Sequence, residues 1–276
     1  MRGSISTPGP GTVRYGGNTT CVEIRAGGEI IILDAGTGLR QLGAALLKTY
    51  RNKPLNLTML LTHTHWDHIQ GLPFFPPIYD PRCRLRIIGC QGARKGLSAM
   101  LTGQMESTYF PVAFDRLPSN IQIEELKDFN FDIGPVIVRA RRANHPGMCV
   151  GYRLFSPDGI VSFFPDTEPH IGGVDREMAE FVRDSDLLIL DSQFDRAGYQ
   201  KHIGWGHGCV DDSVALALQA KVKKLLFFHH DPDSDDKKID GFVRHARKLV
   251  AKAKSKLKVD AAKEGMVIEF PAVKVR

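Results

Sequence analysis

Thr62-His63-Thr64-His65-Trp66-Asp67-His68 concentrates three imidazoles and a carboxylate in one short stretch, directly after the apolar run Leu55–Leu61. His63 and His65 are two apart and can face one way, whereas Asp67 and His68 are adjacent and must point apart. One loop can therefore offer two imidazoles to one metal ion and a carboxylate plus an imidazole to a second. Nitrogen and oxygen ligands of this kind suit zinc. A histidine-rich surface loop is the bland alternative, and the position of the cluster at the end of a strand-like run argues against it. Three further apolar runs also end in ligand types, at His145, at Asp166 and at the pair His229-His230. A carboxylate at Asp166 could bridge two metals about 3.5–4 Å apart, as two-metal hydrolases require.

The elements that must position these groups are legible as alternating apolar runs and helical periodicities. Residues 19–25 and Glu29–Leu33 read as a hairpin across Ala26-Gly27-Gly28, and Leu39–Thr49 has helical spacing. The glycine turn between them, Asp34-Ala35-Gly36-Thr37-Gly38, matches no phosphate-loop fingerprint and reads as a tight strand-to-helix turn. After the histidine cluster come a short proline-stopped helix, a strand at 84–89 and a helix at 93–105. Residues 108–118 are rich in aromatics and proline, a candidate lid or homodimer contact. Further strands are expected at 121–126, Val136–Arg142, 149–155 and 160–164, the last two joined by the turn former Pro157-Asp158-Gly159. Helices at 175–184, 210–220 and 239–252 alternate with strands at 187–190, 225–228 and 266–270. No repeat or linker-like composition break interrupts the pattern, so one α/β domain spanning 1–276 is expected, with two stacked sheets and helices outside.

Composition narrows the partners. The chain has 276 residues, a net charge of +6 and 25% charged residues, ordinary for a globular protein. The basic balance suits an anionic substrate, although a solvated basic helix face would give the same count. Five cysteines, scattered and without a C-x-x-C pair, indicate neither a disulfide framework nor a cysteine zinc knuckle. The first residues lack the apolar core of a signal peptide and no stretch is long enough to span a bilayer, so a cytoplasmic protein without membrane contact is expected.

The segment Thr62-His63-Thr64-His65-Trp66-Asp67-His68-Ile69-Gln70-Gly71-Leu72-Pro73 resembles the signature of the metallo-β-lactamase superfamily. Its Asp-His-Ile-x-Gly-Leu-Pro portion is similar to the ribonuclease Z and small phosphodiesterase branch. Asn144-His145, Phe164-Pro165-Asp166-Thr167, Gly206-His207-Gly208 and Phe228-His229-His230 follow in the order of that branch, so the resemblance covers nearly the whole chain. It implies an αββα sandwich with two mixed sheets and two divalent ions, zinc or in some members manganese or iron. One ion would be held by His63, His65 and His145, the other by Asp67, His68 and His230, with Asp166 bridging. The resemblance favours His230 over His229, because His230 sits in the family's position after the apolar strand. Asp67 would also orient the attacking water, and His207 would assist the leaving group.

The resemblance further implies hydrolysis of cyclic nucleotides or other small phosphodiesters. Lactonases and thioesterases share the ligand set and form the second reading, and a non-catalytic metal-binding regulator the third. Ribonuclease Z carries a long arm for transfer RNA between the positions of His145 and Asp166. Here a short hairpin fills that interval, so transfer RNA is not expected as a substrate.

Overall fold

The computed structural model describes residues 1–90, 95–170 and 173–270. The first sheet is built from β1 (Val22–Ala26), β2 (Glu29–Leu33), β3 (Leu55–Leu61), β4 (Cys83–Gly89) and β5 (Asn120–Glu125), adjacent in that order. Only β1–β2 is antiparallel; β2 to β5 run parallel, joined by crossovers that carry α1 (Leu39–Thr49), α2 (Trp66–Ile69) and α3 (Leu97–Gly103). The second sheet begins with the meander β6 (Asn130–Ile133), β7 (Val136–Arg142), β8 (Val150–Ser156) and β9 (Gly159–Phe164). It continues in parallel through β10 (Leu187–Asp191), β11 (Lys224–Phe228) and β12 (Lys258–Ala261). Between and after these strands lie α4 (Arg176–Phe181), α5 (Arg196–Lys201), α6 (Val210–Gln219) and α7 (Asp236–Lys252).

Side-chain alternation shows why the strands read as continuous apolar runs. Ile31, Leu33 and Leu60 face Val138, Tyr152, Phe163, Ile189 and Phe228 in the core between the sheets. Their neighbours Ile30, Ile32, Met59 and Leu61 face outward against Leu39 and Leu46 of α1 and Leu97 and Leu101 of α3. Outside the second sheet, Leu188, Leu225 and Phe227 meet Val214 and Ala217 of α6 and Ile239, Phe242 and Ala246 of α7. A strand covered on both faces must be apolar at every position. The result is the expected αββα layering.

Five sequence expectations change. The helix expected at 93–105 is observed at Leu97–Gly103, with Ala93 and Arg94 outside the described residues. The short helix after the histidine cluster is two single 3₁₀ turns, Leu72–Phe74 and Pro76–Tyr79, each opened by proline. β6 and α5 have no counterpart in the sequence reading, because one is four residues long and the other six. The closing strand is β12, whereas 266–270 form no ladder and instead lay Met266, Ile268 and Phe270 against the inter-sheet core.

One consequence of the topology positions the chemistry. β2, β3, β9, β10 and β11 all end on the same edge of the sandwich, and β7 runs the same way because two antiparallel pairings separate it from β9. Asp191 closes β10, and Asp34, His63, His145, Asp166 and His229 follow the other strand ends. Ligands of open α/β sheets collect at such carboxyl ends. Among the described residues, no helix is long and apolar enough to cross a membrane.

Candidate metal centre

His63 and His65 leave β3 in an extended turn that ends at the N-cap of α2, and α2 carries Asp67 and His68 on its single turn. The loop is stitched to the β2 terminus: Ala35 N donates to His68 O at 2.7 Å and Gly71 N to Ala35 O at 2.8 Å. A Cβ on Gly71 would lie 2.0 Å from Gly36 O, so this approach requires glycine.

Three groups of side chains present ligand atoms within 4.8 Å of one another: His63, His65, His145 and Asp166; Asp67, His68 and His229; and Asp166, His207 and His229. Asp166 lies at the centre, with Oδ1 3.1 Å from His68 Nε2 and 3.4 Å from His229 Nε2, and Oδ2 3.7 Å from His63 Nε2 and 3.9 Å from His145 Nε2. Asp67 Oδ2 is 3.1 Å from both His68 Nε2 and His229 Nε2. The buried atoms His63 Nε2, His68 Nε2 and Asp166 Oδ1 have no hydrogen-bond partner of acceptable geometry. Orphaned buried polar atoms are costly unless something completes them. Converging imidazole nitrogens and carboxylate oxygens at these separations fit divalent cations.

The opposite ring nitrogens of His63, His68, His145 and His229 are held from behind. His68 Nδ1 meets Asp34 Oδ2 at 2.8 Å, and the same carboxylate accepts from Thr62 N and Thr62 Oγ1. His229 Nδ1 meets Gln193 Oε1 at 2.8 Å, and His145 Nδ1 donates to Gly206 O at 3.0 Å. His63 Nδ1 lies 3.0 Å from Thr62 Oγ1 and 3.6 Å from Cys149 Sγ. Outer partners of this type set the tautomer and direct the remaining nitrogen inward. His207 is anchored likewise, with Nδ1 2.8 Å from Asp191 Oδ2, which leaves Nε2 free beside the cluster.

Electrostatics follow from burial and carboxylate placement. Burial pushes His63, His65, His145 and His207 down from the ordinary histidine range, which keeps these rings neutral and able to donate a lone pair. For His68 burial acts the same way, but Asp166, Asp67 and Asp34 outweigh it and raise its pKa. Burial would raise Asp67 and Asp166; the surrounding histidines overcome it and hold both well below the usual carboxylate range. Asp191 moves up, driven by burial and by the charge of Asp166.

His230 is a correction. Its ring points away from the cluster: Nε2 donates to Ala262 O at 3.0 Å, the ring lies edge-on to Tyr15 at 5.7 Å, and burial lowers its pKa strongly. His229, at φ 58, turns the chain at the end of β11 and takes the site position instead. The reason lies in the N-terminal segment. Arg2 pairs with His230 as an isolated bridge, and a Cβ on Gly3 would fall 2.0 Å from His229 Nδ1, so glycine makes room for that ring. The remaining expected residues, His63, His65, Asp67, His68, His145, Asp166 and His207, do converge. The outer partners Asp34, Asp191 and Gln193 were missed, although Asp34 and Asp191 were visible as carboxylates closing apolar runs.

A family profile described as a β-lactamase superfamily domain matches residues 29–230. The chain belongs to the β-lactamase superfamily. Among curated relatives of this superfamily member, ribonuclease Z of Pyrococcus horikoshii is 24% identical over 266 residues, covering 78% of this chain and 81% of the relative. Among solved structures, the metallo-β-lactamase fold protein YhfI from Bacillus subtilis superposes with a TM-score of 0.66 at 20% identity, covering 97% of this chain and 95% of that one. Human tRNase Z, short form, gives 0.66 at 19% identity, covering 96% and 97%. The superfamily member is thus a metallo-β-lactamase fold hydrolase similar to the ribonuclease Z branch.

These relatives overturn the exclusion of transfer RNA. The interval between His145 and Asp166 does fold as the compact hairpin of β8 and β9, but the similarity to proteins named ribonuclease Z and tRNase Z extends over most of their length. A compact cluster of this kind can address only one bond and its immediate neighbours, while a polyanion can be gripped by any basic surface. The length of one loop therefore does not decide the size of the substrate.

Proposed function

We propose that this hydrolase is a dinuclear metal-dependent phosphodiesterase. The observation that carries the reading is the Asp191–His207 pair set against Asp166, an oriented imidazole beside a carboxylate-centred histidine cluster. In this reading His63, His65 and His145 hold one divalent ion, Asp67, His68 and His229 hold the other, and Asp166 lies between them. Two such ions, zinc or alternatively manganese or iron, would activate water and neutralise the phosphoryl oxygens. Asp67 accepts a hydrogen bond from Ser4 N at 2.8 Å, which fixes its carboxylate to bind and to orient the nucleophile. His207, its ring held by Asp191, is positioned beside the departing oxygen to stabilise the charge that develops there.

The names of the similar proteins, ribonuclease Z and tRNase Z, support adding RNA phosphodiesters to the substrates tested, next to cyclic nucleotides and small diesters. A panel tests the reading: bis-p-nitrophenyl phosphate, a cyclic nucleotide, a precursor transfer RNA, a lactone and a thioester, each with protein reconstituted with a defined metal. Turnover of one or more phosphodiesters above the lactone and thioester is expected. Faster turnover of the lactone or the thioester would sink the proposal. Elemental analysis should approach two metal equivalents, reduced in Asp166→Ala; one equivalent unaffected by that change would remove the central role of Asp166.

A further inference from the structure

The chain has two tryptophans, and both stand at this cluster: Trp66 between His65 and Asp67, and Trp205 two residues before His207. Trp205 is 61% exposed although it lies two residues from a buried histidine. An indole can bury 150–250 Å², so leaving one in water forgoes a large hydrophobic gain. Exposure is not accompanied by slack. Glu168 accepts from the backbone on both sides of the indole, from Gly204 N at 2.8 and 3.0 Å and from Gly206 N at 2.9 Å, and also from Tyr199 Oη at 3.1 Å. Gly204 and Gly206 both have φ near +90°, a turn that other residues rarely adopt. The indole itself sits edge-on against His202 at 4.6 Å, and His202 stacks on buried Phe194 at 4.6 Å and 6°. His202 is in turn fixed through Nδ1 to Gly198 O at 2.8 Å.

The same loop is part of the cluster, because Gly206 O holds His145 and a Cβ on Gly206 would strike the His145 ring at 2.1 Å. The loop that carries the exposed indole is thus held rigidly and is joined to the cluster through Gly206 and His145. Its ordering cost is already met in the free protein, which is the condition for a useful binding surface.

We infer that Trp205 is a stacking platform for a planar heterocycle of the substrate, so that the hydrolysed phosphodiester carries a nucleobase next to the scissile bond. The inference rests on the phosphodiesterase reading and narrows it. Base stacking on an aromatic side chain is tolerant of base identity and is lost on truncation to alanine. Glu168 acts as a positioning residue that fixes the loop.

The test uses metal-loaded protein and two esters sharing one leaving group, thymidine 5′-p-nitrophenyl phosphate and methyl p-nitrophenyl phosphate. Trp205→Ala should raise KM for the thymidine ester by about 5- to 150-fold with kcat little changed, and leave the methyl ester unaffected. Trp205→Phe should recover most of the loss. An equal effect on both esters, or none on the thymidine ester, would overturn the inference while leaving phosphodiester hydrolysis intact. A second readout is independent of turnover. In a Trp66→Phe background, where Trp205 is the sole tryptophan, AMP should quench its fluorescence at lower concentration than ribose 5-phosphate does. Equal responses to the two would overturn the platform even if neither ester is hydrolysed.

Discussion

At the scale of single residues, the adjacent pair His229-His230 is the sharpest test of the site. His229 presents Nε2 to Asp67 and Asp166, whereas His230 is consumed by Ala262 O and the N-terminal segment. His229→Ala should therefore lower metal stoichiometry measured by elemental analysis and, because its ring is as buried as that of His230, also lower the melting temperature of the apo protein. His230→Ala should keep its metals and lower the melting temperature, because it empties a fully buried position. The reverse pattern would restore the assignment made from the sequence. His207 separates a phosphodiesterase from a generic metal site. His207→Ala should retain both metals and lower kcat by about 10²–10⁴-fold, the range for a positioned acid or oxyanion donor. The loss should be largest for alkoxide leaving groups and smallest for p-nitrophenolate, which leaves without help; a mutant that sheds metal would make His207 a ligand.

At the scale of elements, the site depends on strand ends being tied to one another. The carboxylate of Asp34, closing β2, joins β3 through Thr62 and α2 through His68. Asp34→Ala would leave these donors without an acceptor in a buried position and release the His68 ring. Metal affinity, measured by competition with a chromophoric chelator, should fall about 10- to 100-fold, as for other outer partners of ligating histidines. An unchanged affinity would show that α2 alone fixes His68. The two sheets are tied at the same level, since Tyr152 Oη donates to Leu61 O at 2.7 Å and Val150 N to Thr62 O at 3.0 Å. A mutation on β8 can therefore disturb a histidine loop on β3.

At the scale of the whole molecule, the cysteines report on burial. Burial lifts the thiols of Cys90 to about 11 and of Cys83 and Cys209 to about 12, from an ordinary value of 9.0. A raised folded-state pKa means that the folded protein holds these protons more tightly than the unfolded chain. The associated stability is fully present below pH about 9 and is lost as the pH rises through 11 to 12. Melting temperature should accordingly be flat from pH 7 to 9 as far as these thiols are concerned and fall above that. Labelling of the three by a disulfide reagent at pH 8 should be slow in the native state and fast in denaturant; rapid native labelling would contradict the burial.

Local chemistry and periodicity were enough to determine much of this protein. His63, His65, Asp67 and His68 were legible because one loop carries them all, and β3, β7 and α1 were legible because their apolar spacing is long and regular. β6 and α5 were not, since so few residues establish no period. The choice between His229 and His230 required the tertiary structure, because adjacent side chains at a strand end diverge and the chain N-terminal to Thr7 occupies one of the two sides. Asp34, Asp191, Gln193 and Glu168 became functional candidates only through contacts reaching across 16 or more residues to the rings and loop they hold. The charge state of the cluster is likewise tertiary, because burial and carboxylates from separate strands push its members in opposite directions.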